Sequence, residues 1–242
     1  MKNKVLVIII LIILYLILSF VIDNKKIIYF GSFTKVYINN KEITKVENNN
    51  EIINGKKVKY YQNNSFYEGY LYSESGDLGN AYSILNNRNN KEIIRNDLIA
   101  TTPNLSIKVK EPELLEVSNS EIDLLVDGLN IEKSSLNENK TKKYVFDLDS
   151  NGTDETIYKI SYKDPNGEKI EFVLLSNSNY TNFESYLVDN TSAIRNNEEL
   201  YMFVDFFNKG DYYLLIQYSP KLEVPYHYKV YKYKNDELSI IE

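Results

Sequence analysis

The chain has 242 residues, 43% of them hydrophobic and 26% charged, with a formal net charge of −6. This is the composition of a folded globular protein, and the absence of a basic stretch argues against a nucleic-acid partner. The absence of cysteine excludes disulfides, a cysteine nucleophile and thiolate metal sites, while the 22 tyrosines and 10 phenylalanines favour β-strands.

The first predicted element is a membrane-spanning helix over residues 5–22, which are 18 residues without a charge. Such a helix is about 27 Å long, close to the hydrocarbon thickness of a bilayer. A cleavable signal peptide is the competing interpretation. Its apolar region is usually shorter, however, and Phe20, Val21 and Ile22 do not form a small-residue cleavage site. Residues 1–26 are therefore expected to be a membrane anchor with short flanks, and the lipid bilayer a partner.

The positive-inside rule does not by itself decide the orientation of this segment, because lysines flank it on both sides in nearly equal numbers. Only four residues precede the apolar run, and the rest of the chain is acidic overall. We therefore expect a single-pass protein of the cell membrane, with a cytoplasmic N-terminus and an extracytoplasmic C-terminal domain.

Residues 27–131 form the first predicted subdomain, which is β-rich. Short apolar or alternating runs in it are separated by asparagine-rich stretches, as expected of strands and turns. The dipeptide Asn54-Gly55 predicts a hairpin, because type I′ turns need a positive φ at both central residues. The pattern over residues 81–99 is ambiguous and also fits short helices.

A short helix and a boundary follow. Ser120 is expected to cap a helix over residues 121–126, and Gly128 to end it. Residues 132–143 are polar throughout and predict a linker between two halves, although a long loop would have the same composition. Residues 144–242 predict an antiparallel β-meander. The expected fold class is mostly β, with a transmembrane helix, antiparallel β-meander domains and minor helix.

One strand of this meander is rich in tyrosine. By strict alternation Tyr226 and Tyr228 share one sheet face, while Tyr231 and Tyr233 share the other. A strand packed on both faces suits this pattern at least as well as a sugar-binding surface. The lone His227 has no nucleophile motif beside it, so we interpret it as an ordinary strand residue.

One stretch of the sequence has the spacing of a cation-binding loop. It is the acidic stretch 147–155, DLDSNGTDE, which matches the pattern D-x-D-x-[DN]-G-x-x-E. Oxygens at alternate positions of such a loop can converge on one cation, and Gly152 permits the sharp turn. Calcium takes about six to eight hard oxygen ligands. An ordinary turn is the alternative, because aspartate, asparagine and glycine are common there. The candidate ligands are Asp147, Asp149, Asn151, Thr153 through its backbone carbonyl, and Glu155.

The flanking residues fit two strands, and Tyr158 stands where an EF-hand has its bidentate glutamate. The loop instead resembles the strand–loop–strand calcium sites of FG-GAP and VCBS-type repeats. The resemblance implies a structural Ca²⁺ bound by the five candidate ligands. Asn151 replaces the third aspartate of those families, which removes one charge and should weaken binding.

A degenerate copy of the motif follows 58 positions later, where Asp205 aligns with Asp147 and Gly210 with Gly152. In this copy Phe207 replaces the second aspartate and Lys209 the asparagine, so no metal binding is expected there. Two motifs do not establish a propeller, which needs at least four blades.

The leading functional hypothesis is a non-enzymatic, membrane-anchored, extracytoplasmic β-module with one calcium-stabilised loop. Its role would be structural, or the binding of a protein or cell-wall partner. The alternatives are a membrane-tethered hydrolase acting on cell-envelope glycans and an accessory subunit of a membrane complex. A deep pocket lined by two or more carboxylates would favour the hydrolase.

Overall fold

The computed structural model describes residues 9–10, 12–14, 26–31, 34–39, 41–48, 52–76, 79–86, 91–94, 99–176, 179–189, 199–218 and 227–241. The α-helix that is described in full, α1, spans Asn119–Leu129, and 3-10 turns span Lys133–Ser135 and Glu138–Lys140. The strands are β1 Lys26–Phe30, β2 Thr34–Asn39, β3 Glu42–Asn48, β4 Asn54–Gln62, β5 Ser65–Gly76, β6 Gly79–Asn86, β7 Lys91–Ile94, β8 Ile99–Thr101, β9 Lys108–Lys110, β10 Leu114–Leu115, β11 Lys142–Phe146, β12 Glu155–Asp164, β13 Gly167–Ser176, β14 Asn179–Asp189, β15 Glu199–Asp205, β16 Tyr213–Tyr218, β17 His227–Lys234 and β18 Glu237–Ile241.

The predicted transmembrane helix over residues 5–22 is corrected by this structure. Residues 9–10 and 12–14 are helical, and the rest of the segment lies outside the described residues. Among the residues that are described, no helix is long and apolar enough to cross a membrane. A span needs roughly 20 residues, because each helical residue adds only about 1.5 Å. The fold class is therefore mostly β with minor helix, and the predicted bilayer contact and localisation stay untested.

Three antiparallel sheets form the architecture. Sheet 1 has eight strands in the order β3-β2-β1-β8-β4-β5-β6-β7. Sheet 2 has the order β18-β17-β16-β15-β9, and sheet 3 the order β10-β11-β12-β13-β14. The short strand β9 pairs with β15, so sheet 2 joins segments that are far apart in the chain.

Sheet 2 is the middle layer and is buried on both faces. Along β16, Leu215 packs into the apolar cluster shared with sheet 1, whereas Leu214 packs into the cluster shared with sheet 3. This alternation follows from the two-residue period of a strand. The tyrosines of β17 obey it as predicted, because Tyr228 lies in the first cluster and Tyr231 in the second. Tyr226 lies outside the described residues.

The two outer layers are covered differently. The far face of sheet 1 has its own core, in which Tyr29, Val58 and Leu71 are buried. The far face of sheet 3 is covered by α1, whose Leu125 packs into the cluster that contains Tyr158. The order of layers is therefore sheet 1, sheet 2, sheet 3 and α1.

One prediction for the first half is wrong, and one ambiguous pattern is resolved. Asn54-Gly55 does not form a hairpin turn, because both residues lie in β4, where Gly55 has a φ of 70° at a register shift. The hairpin turn lies instead at Asn63-Asn64, with φ values of 49° and 59°, a conformation that asparagine tolerates. The described part of residues 81–99 forms β6, β7 and β8, since strand pairing overrides an ambiguous local pattern.

The predicted ends of the helix are inexact. Ser118, rather than Ser120, caps α1, and Glu121 completes a capping box with it. Gly128 lies within the helix, which ends at Leu129 and is capped by Asn130 with a left-handed φ of 54°.

In the second half the predicted meander is observed, and β14 is an additional strand that the sequence pattern does not indicate. The polar stretch 132–143 contains both 3-10 turns and packs on sheet 3. Within it the Asn137 backbone N–H donates to the Ser161 carbonyl at 2.7 Å. The division into subdomains at 132–143 stays a prediction.

Candidate cation site

The acidic loop connects β11 to β12, whose pairing ends at Phe146 opposite Glu155. Leu148 is the buried apolar residue of the loop, with 1% of its surface exposed. Its side chain packs into the cluster between sheets 2 and 3, so it anchors the loop at this interface.

Asp147 organises the backbone of the loop. One oxygen of its carboxylate accepts the Asn151 N–H at 3.0 Å, and the other accepts the Gly152 N–H at 2.9 Å. Two positive φ values, 57° at Ser150 and 88° at Gly152, turn the chain back towards this carboxylate. Glycine adopts such a conformation without steric cost, so Gly152 has the role that the motif predicts.

The loop brings three carboxylates together. Asp147, Asp149 and Glu155 each offer an oxygen atom, and these atoms all lie within 4.8 Å of one another. Asp149 is exposed, Asp147 half-buried and Glu155 buried. Within the described parts of the chain, no lysine or arginine forms an ion pair with any of them. Like charges this close repel one another in a partly buried setting, and a bound cation would remove that repulsion.

Glu155 closes the loop from within the protein and is 5% exposed. Its carboxylate accepts the Leu148 N–H at 2.8 Å. Burial raises the pKa of Glu155 above its ordinary value, and the Asp149 and Asp147 carboxylates raise it further. The Leu148 N–H and the Tyr233 hydroxyl oppose this shift because both donate to the ionised form.

The two remaining candidate ligands are exposed loop residues. The Asn151 side-chain oxygen accepts the Thr153 N–H at 2.7 Å, which closes a small turn between them. The structure thus gathers the three predicted carboxylates in one place, with Asn151 and Thr153 in the same loop. The donor set is oxygen only, which suits a hard cation such as Ca²⁺.

The degenerate loop at 205–211 has the same backbone plan. Asp205 accepts the Lys209 N–H at 3.2 Å and the Gly210 N–H at 2.8 Å, at the same spacings as Asp147. It also accepts the Phe207 N–H at 3.0 Å. The positive φ values recur at equivalent positions, 55° at Asn208 and 89° at Gly210.

The two loops touch each other, which the sequence pattern does not predict. The Ser150 hydroxyl donates to the Gly210 carbonyl at 2.7 Å, and the Tyr212 N–H donates to the Leu148 carbonyl at 2.7 Å. Below them the Phe146 ring stacks on Phe203, with centroids 4.2 Å apart. No local sequence pattern predicts these contacts, because they depend on how the sheets pack.

Two cavities adjoin β12 and β13. One of about 310 Å³ lies beside the acidic loop and is lined by Glu155, Ser176 and Asp236, among others. The other, of about 640 Å³, lies between the 3-10 turns and the β12–β13 hairpin and is lined by Glu138, Asp164 and Glu168, among others.

One carboxylate of the larger cavity, Glu168, is held in its ionised form by its neighbours. The Glu168 carboxylate accepts hydrogen bonds from Lys140 and Ser161. Burial raises the pKa of Glu168, but these two partners outweigh burial and hold the pKa below its ordinary value. A general acid needs the opposite shift.

Comparison with known proteins found no matching family, no matching curated protein and no matching solved structure. The resemblance to FG-GAP and VCBS-type repeats therefore rests on the nine loop residues and the degenerate copy alone.

Proposed function

We propose that this protein is a calcium-stabilised β-domain with a structural or binding role, in which loop 147–155 holds one Ca²⁺. The observation that carries the proposal is the convergence of the Asp147, Asp149 and Glu155 carboxylates within 4.8 Å. Asn151 and the Thr153 carbonyl would complete the ligand set that the motif implies.

The site would be weak. Three carboxylates and one amide supply less charge than a set with a fourth carboxylate, and three of the predicted ligands, Asp149, Asn151 and Thr153, are exposed. Extracellular modules of this kind bind calcium at about 10⁻⁴ to 10⁻³ M. Such an affinity is consistent with the extracytoplasmic location expected from the sequence, which remains a prediction, as do the protein or cell-wall partners.

The proposed effect of calcium is structural. Neutralising the carboxylates would fix the β11–β12 connection, and through Leu148 and Ser150 it would stabilise the contact with sheet 2. A ligand that binds only the folded state at 100 times its Kd adds about 2.7 kcal/mol to the free energy of unfolding.

The decisive experiment is a calorimetric calcium titration of the full chain, accompanied by thermal melts in calcium and in chelator. We expect saturable binding and a raised melting temperature for the wild type, and neither for Asp149→Ala. Asp154→Ala is the matched control, because it removes one exposed carboxylate of the same loop that is not a predicted ligand.

Two outcomes would refute the proposal. The first is the absence of saturable binding at millimolar calcium. The second is an equal loss of binding in Asp149→Ala and Asp154→Ala, which would mean that calcium only screens the charge of the loop. No observation favours the glycan hydrolase, so no second function is proposed.

A further inference from the structure

We infer that β11–β14 and β15–β18 are two copies of one four-stranded unit, stacked head to tail, and that α1 is a terminal cap in the position of a next copy. Both units are antiparallel meanders in chain order. In each, a short strand from earlier in the chain pairs with the first strand, β10 with β11 and β9 with β15.

A shift of 58 positions relates the elements of the two units. The third strands end at Ser176 and Lys234, and the fourth strands begin at Asn179 and Glu237. The first and second strands keep their register, since Tyr144 opposite Ile157 corresponds to Met202 opposite Leu215.

The second and third strands are the exception. Thr156 pairs with Leu175, whereas its counterpart Leu214 pairs with Tyr231 rather than with Tyr233. This is a register difference of two residues. Because a strand has a period of two, each side chain still lies on the same face.

The burial of equivalent residues shows the direction of stacking. Sheet 3 has a front face, which points towards sheets 2 and 1. On this front face Leu148, Ile157 and Phe172 pack against sheet 2. Their counterparts in sheet 2 pack in the same sense against sheet 1, and these counterparts are Phe206, Leu215 and Val230.

The opposite faces correspond as well. Ile216 and Tyr231 on the back of sheet 2 pack against sheet 3. Their counterparts on the back of sheet 3, Tyr158 and Val173, pack instead in the cluster that contains Leu125 of α1. The helix therefore lies where the front face of a third unit would lie.

The helix has the properties of a cap. Its two buried residues are Ile122 and Leu125, whereas its exposed side carries Asp123 and Asp127 together with Leu124, which is 54% exposed. Glu121 fixes it to sheet 3 by accepting hydrogen bonds from Lys143 and from the Tyr158 hydroxyl. Stacked repeats need such terminal elements with a polar outer face, because an open apolar sheet face would associate.

The test is to detach the cap in the full chain with Leu125→Asp and to compare it with Leu124→Asp. Leu125 is 1% exposed, so a charge there is incompatible with packing on sheet 3. We expect Leu125→Asp to keep its β circular-dichroism spectrum but to associate with increasing concentration in sedimentation velocity. Leu124→Asp should sediment like the wild type.

A reversible tether sharpens this test, because the chain has no cysteine of its own. A Cβ atom at Gly128 would lie 3.9 Å from the Tyr180 ring, so Gly128→Cys with Tyr180→Cys is the pair to test as a disulfide between α1 and β14. In the Leu125→Asp background the oxidised form should remain unassociated and the reduced form should associate. Global unfolding of Leu125→Asp would overturn the inference, because α1 would then belong to the folding core. Wild-type sedimentation of Leu125→Asp would overturn it too.

Discussion

The acidic loop 147–155 and its counterpart, the degenerate loop extended to residue 213, have the same backbone conformation but different side chains. In both, an aspartate accepts the N–H groups four and five residues later, and a glycine with a φ near 89° turns the chain. At the ninth position both bury a side chain to 5% exposure, a carboxylate at Glu155 and an aromatic ring at Tyr213.

The two loops show that the same turn can be completed either by apolar packing or by a cluster of carboxylates. In the second loop Tyr213 packs on the Phe206 ring with centroids 4.9 Å apart, so apolar contacts complete the turn. In the first loop three carboxylates meet without a lysine or arginine partner among the described residues. We therefore expect the second loop to be stable by itself and the first to gain stability from a cation.

The largest expected effect is that of Asp205→Ala. Asp205 is fully buried and accepts three backbone N–H groups, which alanine would leave unsatisfied. We expect a loss of about 3 kcal/mol in the free energy of unfolding. In chelator, Asp147→Ala should lose only about 1 kcal/mol, because Asp147 is half-buried and water can replace it. Urea unfolding in chelator measures both, and equal losses would break the comparison.

The two glycines provide the next test. Alanine at either position is strained by the positive φ, at a cost of about 1 kcal/mol. A Cβ atom at Gly152 has no neighbour within 4 Å, whereas one at Gly210 would lie 2.7 Å from the Ser150 hydroxyl. We therefore expect Gly210→Ala to cost about 2 kcal/mol in thermal or urea unfolding, because strain and clash add. A larger cost for Gly152→Ala would contradict the geometry.

A smaller effect is expected for the contact between the loops. Ser150→Ala removes the hydrogen bond to the Gly210 carbonyl and should cost about 1 kcal/mol. The same change also removes the nearer of the two Ser150 atoms that crowd a Cβ at position 210, and leaves the Ser150 Cβ at 3.0 Å. In a double-mutant cycle, Gly210→Ala should therefore cost less in the Ser150→Ala background than in the wild type. Strict additivity would show that the loops are independent.

The last effect depends on pH and concerns the outer faces of the two units, one covered by sheet 3 and the other by α1. Partial burial raises the pKa of Glu121, but hydrogen bonds from Lys143, Ser118 and Tyr158 outweigh it and lower this pKa to about 2. A lowered pKa contributes stability above the ordinary value of 4.5, and that stability is lost as the pH falls towards 2.

We therefore expect Glu121→Gln to be less stable than the wild type at neutral pH and equal to it near pH 2. Urea unfolding at several pH values measures this difference. Glu116→Gln supplies the control, because it makes the same change at an exposed carboxylate that lies outside α1. A constant difference between Glu121→Gln and the wild type at all pH values would contradict the assignment.

The sequence predicts the second half of this protein better than the first. Strands there alternate cleanly and their turns contain proline, glycine or asparagine, so local chemistry and tertiary structure agree. In the first half, Asn54-Gly55 has a strong turn pattern but lies at a bulge at the start of β4. The strand does not turn there, because Asn54 before the bulge and Lys56 after it both pair with β5. The predicted transmembrane helix is wrong for the described residues, of which only 9–10 and 12–14 in that segment are helical.

The site could be predicted only within its own loop. The spacing of Asp147, Asp149 and Glu155 is local, so the motif alone identifies these three residues. The contacts of Ser150 with Gly210 and of Tyr212 with Leu148 depend on sheet packing. No single-sequence pattern reports such distant partners.

The pairing of β9 with β15 has a consequence for folding kinetics. Residues 108–110 supply one edge of sheet 2, and the rest of that sheet comes from β15 to β18. During synthesis β9 therefore has no partner in sheet 2 until β15 has been made. The long chain segment between β9 and β15 must then close as a loop before the middle layer can form. Such non-local pairing slows folding, so this protein should refold slowly and depend on protection of its early strands from aggregation.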